Sequence, residues 1–308
     1  ALYCKRHFTE CHFVWGFDRR LLSKMFVFSG WAFWGASSMV LREHGVNILL
    51  NIFCGPVVNA ARGITTQVTN AATLFINNFM QAVNPQITKS FSAGDLKEMH
   101  RLIFKSSRFS FYLMLMIAIP LLKGADYALE LWLVCVPEHT VDFIQLLIIF
   151  CLMDTLMQPL ITGILAEGNI RTYEIILTVL NLCIILLSYF ALKYGYAPES
   201  VYIVPIIIEV GIIICRIWLS GKAYSLPIKR YCIEVLCNAF LVFTVTGIFA
   251  WWIQFPTHNN IFSFIAVELI VLLFTCLTVY ILGLTQHERI LIATYLSKKT
   301  KMHNKNVK

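Results

Sequence analysis

Of the 308 residues, 58% are hydrophobic and only 14% charged, with a mean hydropathy of +0.71. Soluble globular domains carry about 25% charged residues, so the balance excludes one and implies an all-α polytopic membrane protein. The net charge of +8 could suit nucleic acid, but Lys and Arg in such a chain first report orientation across the bilayer.

Residues 1–23 read as a basic interfacial segment carrying Lys5, Arg6, Arg19 and Arg20. Cys4, His7, Cys11 and His12 lie close together there, at spacings that fit no standard zinc pattern, and no metal is expected. No cleavable signal precedes Tyr3-Cys4-Lys5-Arg6, and the chain reads as the later part of a longer one. The first span runs from about Lys24 to Phe53, with Arg42, Glu43 and His44 past its middle. His44, Asn47 and Asn51 share one helical face at i, i+3 and i+7. Cys54-Gly55-Pro56 should end this helix and start the next.

The second span, Val57 to Lys89, is too lightly charged for a soluble surface helix and too polar to face lipid. At ~100° per residue, Asn59, Arg62, Thr66, Asn70, Thr73, Asn77, Gln81, Asn84 and Thr88 fall within an arc of about 100°. Val58, Ile64, Val68, Leu74, Phe75, Phe79 and Val83 lie outside it. Hydrocarbon cannot solvate such a stripe, so it must face protein or water. Two readings stay open: a polar seam between helices, or the wall of a hydrated passage suited to sugar hydroxyls. Asn84-Pro85 should kink this span near its far end.

A polar, basic connector is expected over residues 89–108, followed by a third span over about Phe109 to Leu122. Ala125 to Leu133 reads as a separate interfacial helix anchored by Trp132. The fourth span, about Val141 to Ala166, contains Asp154, Gln158 and Pro159. A Glu167-Gly168-Asn169 turn leads to the fifth, about Thr172 to Leu192. The sixth, about Val201 to Leu219, holds Pro205 and Glu209. The seventh and eighth cover about Ile233 to Ile253 and Ile261 to Leu284, and the basic tail follows from Gln286.

Eight spans place both ends of the chain on one side. Of the 25 Lys and Arg residues, 21 fall on that side, only Lys123 and Lys193 fall in the opposite loops, and Arg42 and Arg62 lie within spans. The positive-inside rule makes both ends cytoplasmic. The net charge becomes an orientation signal, and no nucleic-acid partner is expected.

Chemistry for an enzyme is missing. No DxxD or DDxxD cluster, HExxH, GxSxG or Walker-type glycine loop occurs, and the outer loops are too short for a catalytic face. A charge near the bilayer centre costs about 2.5–3.5 kcal/mol on insertion scales, so each buried ionisable group needs a reason. Arg42 either pairs with a carboxylate such as Asp154 or binds an anionic substrate. Arg62 either snorkels to the interface or lines the passage. Asp154 reads as a proton or ion site, or as hydrogen-bonded support for the Pro159 kink. Glu209 should face inward, and neither carboxylate has a visible partner of its own type.

The run Gly55-Pro56-Val57-Val58-Asn59-Ala60-Ala61-Arg62-Gly63-Ile64, with Asn77-Asn78-Phe79 and Asn84-Pro85-Gln86-Ile87-Thr88-Lys89-Ser90, resembles the polysaccharide flippases. These O-antigen-type proteins belong to the multidrug/oligosaccharidyl-lipid/polysaccharide exporter superfamily. Tyr3-Cys4-Lys5-Arg6-His7-Phe8, Phe28-Ser29-Gly30-Trp31, Gly94-Asp95, Met99-His100 and Pro198-Glu199-Ser200-Val201 are similar to its habits too. The resemblance covers residues 1 to about 230. It implies the second six-helix bundle of a two-bundle exporter over 24–220, two additional helices over 221–285 and a cytoplasmic tail over 286–308, with the N-terminal bundle missing. It further implies flipping of an undecaprenyl-pyrophosphate-linked oligosaccharide across the bacterial cytoplasmic (inner) membrane by alternating access. No cofactor is implied, with a H+ or Na+ gradient as the candidate driving force. Partners would be the lipid-linked oligosaccharide, membrane lipids, the missing bundle and polysaccharide polymerase machinery. Arg42, His44, Asn47, Asn51, Asn59, Arg62, Thr66, Asn70, Asn77, Gln81, Asn84 and Asp154 would form the substrate pathway. A multidrug–cation antiporter of the same superfamily and a non-transporting scaffold of polysaccharide assembly are the alternatives.

Overall fold

A computed structural model describes residues 17–253, 261–286 and 288–290. The Cys4, His7, Cys11, His12 group, the turn at 256–260 and most of the basic tail lie outside the described residues. Among the described residues every regular element is helical, and seven helices are long and apolar enough to cross a membrane.

Helix α1 (Arg19–Ser92) starts under the Asp18 carboxylate, which accepts from the backbone N–H groups of Arg20 and Leu21. Its 74 residues would make a straight rod of about 110 Å, against roughly 40–45 Å for a whole bilayer. The helix breaks at Gly55, where φ is 83° and ψ is 176°, a backbone conformation open to glycine alone. Arg62 Nη2 donates to the Glu43 carbonyl at 3.2 Å, although 19 residues of unbroken helix would separate them by roughly 28 Å. The two arms, 19–54 and 56–92, therefore fold back on each other. The second arm runs on through Pro85 with helical backbone angles.

The segment after α1 departs from the sequence expectation. Instead of a connector, a short span and a separate interfacial helix, α2 (Leu96–Trp132) is one helix of 37 residues. The connector's charges mask its period: Lys97, Arg101 and Lys105 stay exposed while Met99, Ile103, Phe104 and Phe111 are buried. Only Ala93-Gly94-Asp95 separates α1 from α2, with Gly94 at φ 74° and Asp95 capping the Glu98 N–H at 3.0 Å.

Next come α3 (Thr140–Glu167), α4 (Arg171–Lys193) and α5 (Ser200–Tyr224). Helix α5 continues past the expected end at Leu219, so Arg216, three residues from that end in the sequence reading, lies about two turns inside the helix. Helix α6 (Ile228–Tyr231) widens into a π-helical turn over Cys232–Cys237 and continues as α7 (Asn238–Trp252). Helix α8 (Ile261–Thr278) likewise ends in a π-helical turn, Val279–Gly283.

Two apolar clusters hold these helices together. The larger joins the second arm of α1, through Ala72, Ile76 and Met80, to α2, α3, α5, α7 and α8. The smaller gathers Val46, Leu50, Ala61, Phe143, Ile184, Val201 and Tyr202 near the Gly55 turn. Polar cross-links tie the last helices on. Tyr112 donates to Asn238 Oδ1 and, at 3.1 Å, to the Gly283 carbonyl, while Lys123 reaches the carbonyls of Ala250 and Ile253. Arg108 pairs with Glu288 at 2.8 Å. The reversals between successive helices give the molecule two ends: one with Gly55, His139 and Glu199, the other with Lys97, Arg101 and Arg230.

Candidate functional site

The striped arm of α1 shows where its polar residues go. Its buried positions are Ala61, Thr65, Thr69, Ala72, Ile76, Met80 and Ile87. At ~100° per residue these centre about 100° away from the Asn59–Thr88 stripe. The stripe is thus not a seam within this chain. Asn70, Asn77, Gln81 and Thr88 are exposed; Asn59, Arg62, Thr66, Thr73 and Asn84 are half-buried. The threonine hydroxyls return to backbone carbonyls one turn earlier: Thr66 donates to Arg62 and Thr73 to Thr69, each at 2.9 Å. This leaves the Asn and Gln amides as the groups that point outward. Asn84 and Asn59 are exceptions: Asn84 Oδ1 accepts from Thr162 of α3 at 2.9 Å, and Asn59 Oδ1 is buried.

The upper part of the stripe opens on a cavity of about 210 Å³, walled by Arg42, Glu43, Arg62, Thr66, Asn70 and Tyr202. Arg62 comes from the returning arm and Arg42 from the outgoing one, so the Gly55 reversal is what brings two guanidinium groups to one space. Arg62 lies over the Tyr202 ring at 5.9 Å and Arg42 over Phe150 at 5.8 Å. Tyr202's hydroxyl is buried in the cavity wall beside the Arg62 guanidinium, and Asn59 Oδ1 is buried with no hydrogen-bond partner among the described residues. His44 and Asn51 are exposed and Asn47 half-buried on the first arm; none of the three lines this cavity.

Behind the cavity sits an ion cluster. Arg216 of α5 donates from Nη1 to Asp154 Oδ1 of α3 and to Glu209 Oε1 of its own helix, both at 3.0 Å. Glu209 and Arg216 are seven residues apart, two turns along one face. The Glu209 side chain is 2% exposed and that of Arg216 6%, whereas Asp154 keeps 30% of its surface. Gln158 donates to the second Asp154 oxygen at 2.8 Å. One expectation is corrected here. Asp154 and Glu209, single carboxylates of separate spans in the sequence reading, meet at one cation, and Asp154 is taken by Arg216 rather than by Arg42. Arg42 instead donates to Asn181 Oδ1 of α4 at 3.3 Å, and Asn181 donates to Ser38 Oγ at 3.1 Å. A cation buried between two carboxylates offsets part of their charge at close range, which is how such groups persist in low dielectric.

Arg216, Asn181, Tyr202 and Glu43 belong to this region, although the sequence alone does not single them out as site residues. A helix ending at Leu219 groups Arg216 with the loop cations of the basic side, only three residues from that end. Its i, i+7 relation to Glu209 is the available signal. At the Gly55 end, His139, Asp142 and Glu199 place one ligand atom each within 4.8 Å of one another, and His139 Nδ1 is already hydrogen-bonded to Glu199. No family model, curated protein or solved structure matches the chain.

Proposed function

We propose that the chain is the second half of a membrane flippase that moves a lipid-linked oligosaccharide, with pyrophosphate as the anionic link, from the cytoplasmic to the outer leaflet of a bacterial inner membrane. In this reading the two arms of α1 count as separate spans, giving eight, and the basic end is cytoplasmic. The observation that carries it is the row of outward amides on α1. In a chain this apolar, those amides stand outside the packed core where lipid cannot satisfy them. An aqueous cleft covered by a first, opposing bundle satisfies them, and sugar hydroxyls exchange with its waters. Two guanidinium groups at the top of the row supply the anion contact, because the fork of Arg suits phosphate oxygens. The Asp154–Glu209–Arg216 cluster is a place where a proton or Na+ could couple to rocking of the bundles, since Asp154 retains access. Polymerase machinery would receive the flipped product.

The test is flipping of a fluorescent lipid-linked oligosaccharide in proteoliposomes, with the protein carrying any segment that precedes Ala1. Asn70→Leu/Asn77→Leu should reduce the flipping rate at least tenfold with the protein still folded. Unchanged flipping by that variant, or transport of small cations but no lipid-linked sugar, would overturn the reading.

A further inference from the structure

A separate cavity of about 700 Å³ lies at the basic end, between the start of α2, the α5–α6 loop and the residues after the second π-helical turn. Helix α2 contributes Lys97, Arg101, Lys105 and Arg108, which fall within about 80° of one another at ~100° per residue. Arg230 faces them from α6. The carboxylates here are mostly committed. Glu98 holds Arg101, Glu234 holds Arg230 and Glu288 holds Arg108, at 2.8, 2.6 and 2.8 Å, while Asp95 caps α2. Lys97 and Lys105 have no carboxylate within bridging distance among the described residues. Arg108 is 8% exposed, and its Nε is buried without an acceptor among those residues. A buried guanidinium N–H on a cavity wall, beside two unneutralised ammonium groups, calls for an oxyanion.

An adjoining cavity of about 390 Å³ shares Leu102, Lys105 and Glu288 with this one, and is otherwise walled by Phe79, Val83 and Phe109 among others. A charged chamber opening onto an apolar one fits an amphiphile better than a free ion. We propose that the basic-end cavity binds the phosphate of an anionic phospholipid, with an acyl chain against Phe79, Val83 and Phe109. Cationic pockets between helices at the cytoplasmic face bind anionic headgroups in this way. The inference rests on the membrane reading and its orientation, not on what the protein carries.

The experiment is native mass spectrometry of the whole chain released from detergent with equal amounts of phosphatidylglycerol and phosphatidylcholine. Phosphatidylglycerol should be retained in preference. Lys97→Gln/Lys105→Gln removes two exposed cations and spares the core. Each cation near an anionic headgroup is worth roughly a factor of five, so affinity for phosphatidylglycerol should fall roughly 30-fold. The control Lys193→Gln/Lys222→Gln, whose cations lie on Tyr189 and Trp218, should bind as the unaltered chain does. Equal retention of both lipids, or equal loss in the two double variants, would overturn the proposal. Displacement by inorganic phosphate at the concentration at which phosphatidylglycerol binds would overturn it in favour of a free-phosphate site. Flipping can fail while this lipid still binds, and the reverse, so the two readings stand or fall separately.

Discussion

Replacing Arg216 by Leu is the most direct perturbation of the interior. The change leaves Glu209, 2% exposed, and Asp154, 30% exposed, facing each other without the cation both contact at 3.0 Å. Removing one partner from a buried ion pair costs about 3–5 kcal/mol, because the remaining charge has neither water nor counter-ion. Arg216→Leu should therefore lose about that much. Glu209→Gln, which keeps the Arg216–Asp154 contact and sacrifices one charged hydrogen bond, should lose about 1.5–3 kcal/mol. The triple variant Arg216→Leu/Glu209→Gln/Asp154→Asn is the informative one. It removes every charge together and should recover at least about 2 kcal/mol relative to Arg216→Leu alone, since neutralised buried clusters are often no less stable than ionic ones. Unfolding in mixed micelles, followed by circular dichroism against denaturant, supplies the free energies, and the cycle supplies the coupling. High salt should leave the pattern unchanged, because buried pairs are poorly screened. A loss under about 1 kcal/mol for Arg216→Leu, additive with Glu209→Gln, would refute the argument.

Further expectations follow from single positions. An ideal Cβ on Gly163 would sit 2.8 Å from the buried Tyr224 ring, whereas one on Gly63 meets nothing within 4 Å. Gly163→Ala should thus cost about 1–3 kcal/mol and Gly63→Ala none, and similar unfolding curves for the two would contradict the packing described. Gly55→Ala should cost about 1–3 kcal/mol for its φ of 83°; a native-like unfolding midpoint would show the reversal tolerates a side chain. Arg42→Ala should abolish most flipping at matched protein level, with Arg42→Lys intermediate because a lone ammonium lacks the fork. Wild-type flipping by Arg42→Ala would remove this residue from the mechanism.

The break at Gly55 was readable because Gly-Pro ends one helix and starts another, and span lengths after Thr140 followed from apolar runs between turn residues. The long α2 was harder. Lys97, Arg101 and Lys105 make the segment look like a loop, and only the spacing of Met99, Ile103, Phe104 and Phe111 gives its helix away. The polar stripe could be drawn on a helical wheel from sequence, but which way it faced could not. That depends on Ala61, Thr65 and Ala72 being small enough for the rest of the bundle to approach on the adjacent side. The Arg216 cluster lay furthest from view. One of its two salt bridges crosses from α5 to α3, and that pairing between residues 62 positions apart depends on topology that no local pattern encodes.

The two π-helical turns carry a consequence for how this chain tolerates length change. Buried positions in the last two long helices recur at intervals of four: Tyr231, Val235 and Ala239 in one, Val267, Val271, Thr275, Val279 and Gly283 in the other. A strict α-helix would rotate each such step by about 40° away from the core. A π turn holds an extra residue per turn, so the wider coil over Cys232–Cys237 and Val279–Gly283 takes up that drift and keeps Tyr231 and Gly283 aimed inward. These turns are therefore slack in the thread. Deleting one residue inside either turn should tighten it to ordinary α-helix and leave the flanking faces where they are. The same deletion one turn away, in Asn238–Trp252 or Ile261–Thr278, would swing everything beyond it round the axis.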